Sequence, residues 1–339
     1  MPEMGNATRS SLGKERFLIT GAKGFIGAWI VKRLVERGER AWIFDRDKEA
    51  HRLRALLPDE EMVRLPFIQG DITDFEEVEH AVVGNGITHI IHLAAVQVPT
   101  CAANPLLGGR INVIGTLNVF EAARRRRDTV KRVVYASSAA VFGPEEMYGG
   151  TTVPEGAPLE PRTHYGVFKQ CNEGNARVFY LNDGISSVGL RPGAVYGVGR
   201  DIGITSGPTK AIKAAVAGRD YAIKLTGKLD LQYARDTADI FLRCAEVDLP
   251  GARVYTLRGA VTRMDDFIRI LQQELPQSRG RIRAEGPALP IACDFDDSAL
   301  VRDLGVIPRT SLLEGIRETR DIFERLHAQG RLGLEDLET

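Results

Sequence analysis

The chain reads as an α/β protein: a Rossmann-type, doubly wound parallel sheet with a smaller C-terminal α/β lobe. Three features predict this. Short β-branched apolar runs alternate with longer helical patterns up to about Gly199, as in parallel strands joined by helices. A glycine-rich turn separates the first strand from the first helix. Beyond Gly199 the alternation weakens, as expected of a lobe built over the carboxyl ends of the strands, where such folds place their ligand crevice.

The elements follow in order. "RFLIT" is the first strand, and a helix runs from about Phe25 to Glu36, closed by Gly38. "RAWIFD" is the second strand, followed by a charged helix in "DKEAHRLRALL". "VRLPFIQGD" and "FEEVEHAVV" supply the third strand and helix. "THIIHLAA" and "KRVVYASS" are buried strands with a long helical pattern, "RINVIGTLNVFEAARRR", between them. The block after Tyr165 is helical, "SSVGLRPGAVYG" is a further strand, "DDSALVRDLG" belongs to the mixed region, and a last helix spans about Ser311 to Gln329. Residues 1–14 are expected to be a flexible tail and 15–198 the nucleotide-binding domain, with some later segments returning to it. Residues 199–339 are expected to be mainly the substrate-binding lobe.

Composition narrows the function classes. The 339 residues are 43% hydrophobic and 27% charged, a soluble globular balance. Lys+Arg and Asp+Glu stand at 45 each, which argues against nucleic acid or a membrane surface as the main partner. The run "RRRR" at 124–127 reads as a solvated helix end. Cys101, Cys171, Cys244 and Cys293 show no paired spacing, so no metal site or disulfide framework is expected. With no signal-peptide core and no membrane-length apolar stretch, the expected compartment is reducing and cytoplasmic.

The first chemical motif is "LITGAKGFIG". Gly21, Gly24 and Gly27 would let the backbone leave the strand tightly, approach a pyrophosphate and pack the helix, with Phe25 and Ile26 opening the helix N-terminus. Asp45 ends the second strand, where a carboxylate can accept both ribose hydroxyls of NAD and repel a 2′-phosphate. Arg46 and Lys23 stand nearby and could favour that phosphate instead. Asp71 and Ile72, in "GDITD", can meet the adenine, while Thr73 or Asp74 can cap the following helix.

"YASSAAVFG" ends a buried strand in two serines, and a hydroxyl there can hydrogen-bond a substrate carbonyl or alcohol. Tyr165 and Lys169 are four apart, so they share one helix face. A phenol of ordinary pKa about 10, beside an ammonium, can serve as an acid/base for an alcohol or ketone. His164 is adjacent to Tyr165 but points about 100° away on a helix and is expected to be peripheral.

Taken together, "TGAKGFIG", Asp45, "GDITD", "HLAA", "SSAAVFG", Y-x-x-x-K and "LRPGAVYG" resemble the extended short-chain dehydrogenase/reductase superfamily, the NAD-dependent epimerase/dehydratase group, over residues 16 to about 330. The resemblance implies NAD as cofactor, Tyr165 as acid/base, Lys169 as its partner and Ser138 as the hydroxyl that orients substrate. It implies that Leu93, Ala94 and Ala95 line the cofactor, that Pro192 and Val195 border the nicotinamide, and that Asn112 stands behind the active site. It also implies a homodimer packed through helices near residues 110–125 and 165–181. Two departures stand out. Ala194 and Val198 replace an asparagine and a proline, and Leu229 replaces an arginine, so two contacts to a nucleotide-sugar diphosphate are missing unless Arg200, Lys210 or Arg235 substitutes. The expected substrate is therefore a small polar alcohol or ketone, such as a sugar, sugar acid or hydroxy acid. Gln97, Arg200, Thr205 and Ser206 are candidates to bind it. The expected reaction is net oxidoreduction, with an NAD-retaining sugar or nucleotide-sugar epimerase as the alternative.

Overall fold

The computed structural model describes residues 15–338, so the expected tail at 1–14 lies outside the described residues. Seven parallel strands form the main sheet, in the order β3-β2-β1-β4-β5-β6-β10. From the N-terminus, β1 (Phe17–Thr20), α1 (Phe25–Glu36), β2 (Ala41–Asp45), α2 (His51–Leu56), α3 (Asp59–Arg64) and β3 (Phe67–Gln69) build one half. The second half takes α4 (Phe75–Gly84), β4 (His89–His92), α5 (Val98–Ala103), α6 (Pro105–Gly109), α7 (Gly115–Arg125), β5 (Arg132–Ala136), α8 (His164–Asp183) and β6 (Ser187–Arg191). The strand order reverses between β1 and β4, the switch point at which such sheets bind ligands.

The first helix ends as expected. Gly38, at φ +70°, closes α1, and the Gly38 and Glu39 amides donate to carbonyls of its last turn. Two other expectations shift. The charged helix is confined to α2, because Asp45 accepts the Asp47 amide and holds the entry in a turn. Pro66 forces Leu65 out of helical geometry (ψ 126°), so "VRL" finishes α3 and the third strand shrinks to Phe67–Gln69.

"SSVGLRPGAVYG" also divides. Pro192 has no N–H for a sheet ladder, so the chain leaves the main sheet after β6 and enters a small one as β7 (Ala194–Tyr196). There follow α9 (Gly207–Val216), β8 (Tyr221–Ile223), β9 (Lys228–Tyr233), α10 (Ala234–Glu246), β10 (Ala252–Thr256), β11 (Ala260–Arg263), α11 (Met264–Glu274), β12 (Ile282–Ala284), α12 (Ser298–Leu304) and α13 (Leu312–Ala328). β7 pairs parallel to β9, which pairs antiparallel to β11, while β8 and β12 form a separate pair. After this excursion, α10 packs on α1 and β10 becomes the seventh strand of the main sheet.

The core lies directly beneath the cleft. Phe17, Leu18 and Ile19 are fully buried and lie on both faces of β1, as a central parallel strand requires. Each such side chain stabilises the fold by about 1.5–3 kcal/mol relative to exposure. One apolar cluster runs from Ile19 and Trp29 through Tyr196 and Tyr233 to Phe323, so the small sheet shares its core with the large one. The arginine run at 124–127 includes two residues held in surface ion pairs, Arg124 and Arg125 to Glu121, with Arg125 also reaching Glu79.

Candidate active site

The cleft opens along the carboxyl ends of β1, β2 and β4, with a cavity of about 250 Å³. Its floor is backbone. Gly21 takes φ +67°, and a Cβ there would sit 2.7 Å from the Ala94 nitrogen. A Cβ at Gly27 would meet the Gly21 oxygen at 2.5 Å, so this glycine lets α1 pack against the turn. Gly24 is the N-cap of α1; no side chain caps it and no acidic residue lies in the first turn. These features fit a diphosphate placed over Gly21, Gly24 and Phe25.

Asp45 lines the far end of the cleft. Its carboxylate accepts the Lys23 amide (2.9 Å) and the Asp47 amide (3.1 Å), which orients it. Lys23's ammonium is turned away onto the Asp47 and Lys48 carbonyls and over the Phe67 ring. Arg46 is exposed and lines the same end. Asp71 also lines the cleft, with Oδ1 accepting the Thr73 amide and hydroxyl; those hydrogen bonds hold its carboxyl below the usual range. Asp74, not Thr73, caps α4. Ile72, Leu93, Ala94 and Ala95 complete the wall, whereas Ile26 packs toward the core.

Behind that wall stands a neutral histidine. His92 is fully buried between the Thr20 and Thr116 hydroxyls (2.7 and 3.0 Å), and burial pushes its pKa down to about 3. Asn112 is buried and does not line the cleft. Its side chain clamps both the N–H and C=O of Val96 (2.8 and 2.9 Å), fixing the segment that carries Ala94 to Gln97. A π-helical turn at Arg110–Ile114 precedes α7, and the Asn112 carbonyl accepts the Thr116 hydroxyl (2.7 Å) and the Asn172 amide (2.8 Å).

At the other end, α8 brings Tyr165 to Ser138. Thr163 caps the helix, and Gly166 allows it to approach the Ala140 carbonyl too closely for any side chain. Ser138 begins a short turn, accepting the Ala140 amide at 3.1 Å, and its hydroxyl lies near enough to the Tyr165 phenol to oppose the effect of burial on it. Ser137 points the opposite way, donating to Glu173. Glu173 also grips Arg191 through two bonds of 2.7 and 2.6 Å, a buried pair that ties α8 to β6 behind the serines. Sequence reading missed Glu173, although its position four residues after Lys169 on one helix face was a signal.

Lys169 is buried beneath the Tyr165 ring (5.5 Å to the centroid) and donates to the Ala136 carbonyl at 2.6 Å. Burial lowers its pKa to about 8. Burial raises that of Tyr165, opposed by the Ser138 hydrogen bond and by the charge of Arg200. Arg200 adds a positive charge that sequence alone did not place near the phenol. Gln97 and Arg200 line the cleft, and the Arg200 Nη2 donates to Thr205 at 3.0 Å. Ser206 is buried as the N-cap of α9. Pro192 and Val195 are buried, and the Pro192 carbonyl receives the Ala139 amide (3.0 Å), which ties it to the turn that follows Ser138. His164 is exposed and stacks on Phe168, and Cys101 is buried with its thiol pKa raised by burial. Among the described residues no cluster of side chains could hold a metal, and no helix is long and apolar enough to cross a membrane.

Comparisons with known proteins agree with this geometry. A family model described as "NAD dependent epimerase/dehydratase family" matches residues 17–256. UDP-glucose 4-epimerase of Mycolicibacterium smegmatis is 26% identical over 91% of this chain and 98% of its own. The solved structure of Thermus thermophilus UDP-glucose 4-epimerase in complex with NAD is 27% identical, with a TM-score of 0.73, over 91% of this chain and 98% of that one. A partial consensus L-threonine 3-dehydrogenase gives 26% identity and a TM-score of 0.79 over 91% and 99%.

Proposed function

From the premise that this chain belongs to the NAD-dependent epimerase/dehydratase family, an extended short-chain dehydrogenase/reductase enzyme that uses NAD, we propose that it interconverts a secondary alcohol and a ketone on a small polar substrate. The observation that carries the reading is that Tyr165 stands beside Ser138 and under the charge of Arg200, which lines a cleft whose far end is a glycine cradle and an oriented Asp45. Gly21, Gly24, Phe25, Asp45, Asp71 and Leu93 to Ala95 would hold the cofactor. Bound NAD supplies the hydride acceptor, taking two electrons as carbinol becomes carbonyl.

The protein's own residues handle the proton. Tyr165 takes it from the substrate hydroxyl in oxidation and returns it in reduction. Ser138 orients the same oxygen and stabilises charge on it. Lys169 holds its place under the ring by the Ala136 carbonyl and presents a second positive charge to that end of the cleft. Net oxidoreduction of a sugar, sugar acid or hydroxy acid is the reading we favour, because Ala194 and Leu229 stand where diphosphate ligands would be expected in nucleotide-sugar enzymes. Both side chains are buried. NADH absorbance with a substrate panel tests it. Sustained NADH formation with one small alcohol supports net oxidation, whereas stereochemical inversion without net NADH would replace it by epimerisation.

We also infer a homodimer. Val167, Val178 and Leu181, 46, 47 and 70% exposed, share one face of α8 with Cys171, and Ile114 (46%) is exposed just before α7. Light scattering is expected to give twice the 37.3 kDa chain mass. Leu181→Glu should shift the mass toward monomer; a monomeric parent protein would refute the inference.

A further inference from the structure

We propose that Arg200 is the anion receptor at the reaction end of the cleft, and that the substrate carries a carboxylate: a hydroxy acid rather than a neutral polyol or a nucleotide sugar. This deepens the alcohol–ketone reading and rests on it for the chemistry, though not for binding.

Arg200 is held by a strap that the fold anchors on either side of it. The Trp29 indole donates to the Val198 carbonyl (2.9 Å), and Arg52 donates to the Gly199 carbonyl (3.1 Å). On the other side, Asp201 is gripped by Arg52 at 2.7 Å and meets His51 at 3.0 Å. Burial raises the Asp201 pKa, but those hydrogen bonds outweigh it and keep the carboxyl well below the usual range. Asp201 is thus an anion committed elsewhere. The guanidinium between these anchors faces the cleft.

Its bonding is incomplete. Among the described residues the Arg200 guanidinium donates only to the Thr205 hydroxyl (3.0 Å), and its Nε is buried without a partner. Among the described residues no ion pair involves it, whereas Arg52 and Arg191 each hold a carboxylate bidentately. A guanidinium has five donors in a planar fork that matches a carboxylate, and burying it unpaired is costly. Phe25, at 5.8 Å from Arg200 Cζ, supports the group from the α1 side. Gly203, at φ +107°, lets the chain pack closely over these side chains: a Cβ there would lie 3.0 Å from Arg200 Nη2 and 2.5 Å from Gln97 Oε1. A carboxylate on the Nε edge would hold a nearby carbinol in reach of the same field that Arg200 exerts on Tyr165.

The cofactor diphosphate offers the same anionic oxygens, so the test must separate the two sources. Arg200→Met and Arg200→Lys are compared with the parent protein by calorimetric NAD titration, and then by turnover of D-gluconate, D-erythronate and L-lactate against D-glucitol, erythritol and UDP-glucose. The expected result is preference for an acid over its neutral partner. Arg200→Met should raise KM for that acid about 100-fold and erase the preference, Arg200→Lys should restore part of it, and NAD affinity should change less than about threefold. Weakened NAD binding with an unchanged substrate KM would assign Arg200 to the diphosphate and overturn the proposal. So would turnover of only the neutral compounds or UDP-glucose. If nothing is turned over, the alcohol–ketone reading fails by itself; calorimetry of the three acids with NAD-loaded protein then decides. Heat lost in Arg200→Met upholds the anion receptor, and absence of heat refutes it.

Discussion

The two ends of the cleft are built from different materials. The cofactor end is mostly backbone and small side chains, with its polar groups already engaged: Asp45 by two amides, Asp71 by Thr73 and Lys23 by two carbonyls. The reaction end is made of side chains that converge from distant segments, Ser138 after β5, Tyr165 and Lys169 on α8, and Arg200 on the strap after β7. One end is finished without its ligand; the other keeps a phenol raised by burial and a guanidinium edge without a partner. The division suggests that binding of the cofactor and chemistry on the substrate can be damaged separately.

The sharpest way to break that comparison is Tyr165→Phe. The substitution keeps the ring over Lys169 and removes the hydroxyl that Ser138 meets. Turnover should fall by about 10²–10⁴, the range for losing a positioned acid/base, with NAD affinity within twofold of the parent. Stopped-flow turnover and NAD titration on one preparation check both halves. Near-normal turnover would remove Tyr165 from the acid/base role, and a parallel loss of NAD affinity would show that the two ends are not separable.

The converse substitution acts on the backbone end. Gly21→Ala puts a Cβ at φ +67° and 2.7 Å from the Ala94 nitrogen, so the turn or the β4 exit must move. NAD affinity should drop at least about tenfold, the equivalent of about 1.4 kcal/mol, with kcat at saturating NAD reduced less. Titration followed by kinetics at high NAD measures the split. An unchanged dissociation constant would mean that the cradle tolerates a side chain and that the cofactor lies elsewhere.

This contrast also explains which features could be read from sequence. Gly21, Gly24 and Gly27 announce themselves because only glycine meets a local backbone demand, and α1 could be bounded because Gly38 closes it. Tyr165 and Lys169 were legible because helix geometry places residues four apart on one face. What failed was long-range. Nothing local to "LRPGAVYG" says that Pro192 hands the chain to another sheet, and the pairing of β7 with β9 joins residues far apart in sequence. The partner of Asn112 is also distant in sequence: its amide clamps the Val96 backbone. The charge of Arg200 near the phenol was equally hidden, because it gets there only once the strap is anchored to α1 and α2.

The smallest effect should come from the sheet that supports the strap. Asp230 on β9 is 2% exposed, accepts the Gly259 amide and the Gln232 amide at 2.6 Å each, and lies 3.2 Å from where a Gly193 Cβ would be. Burial, larger than the opposing hydrogen bonds, pushes its pKa from 3.8 up to about 7. The folded protein therefore binds this proton more tightly than the unfolded chain does. Its contribution to stability is full below about pH 4 and is lost as pH rises through about 7. Asp230→Asn mimics the protonated form and cannot ionise. Urea unfolding at pH 5 and pH 8 should show the parent losing about 1–3 kcal/mol more than the variant across that interval, with turnover at pH 7 changed less than about twofold. Equal losses would mean that Asp230 ionises normally in the fold. A large loss of turnover would mean that the small sheet takes part in the chemistry, and the boundary between a supporting lobe and a reacting cleft would have to be redrawn at β9.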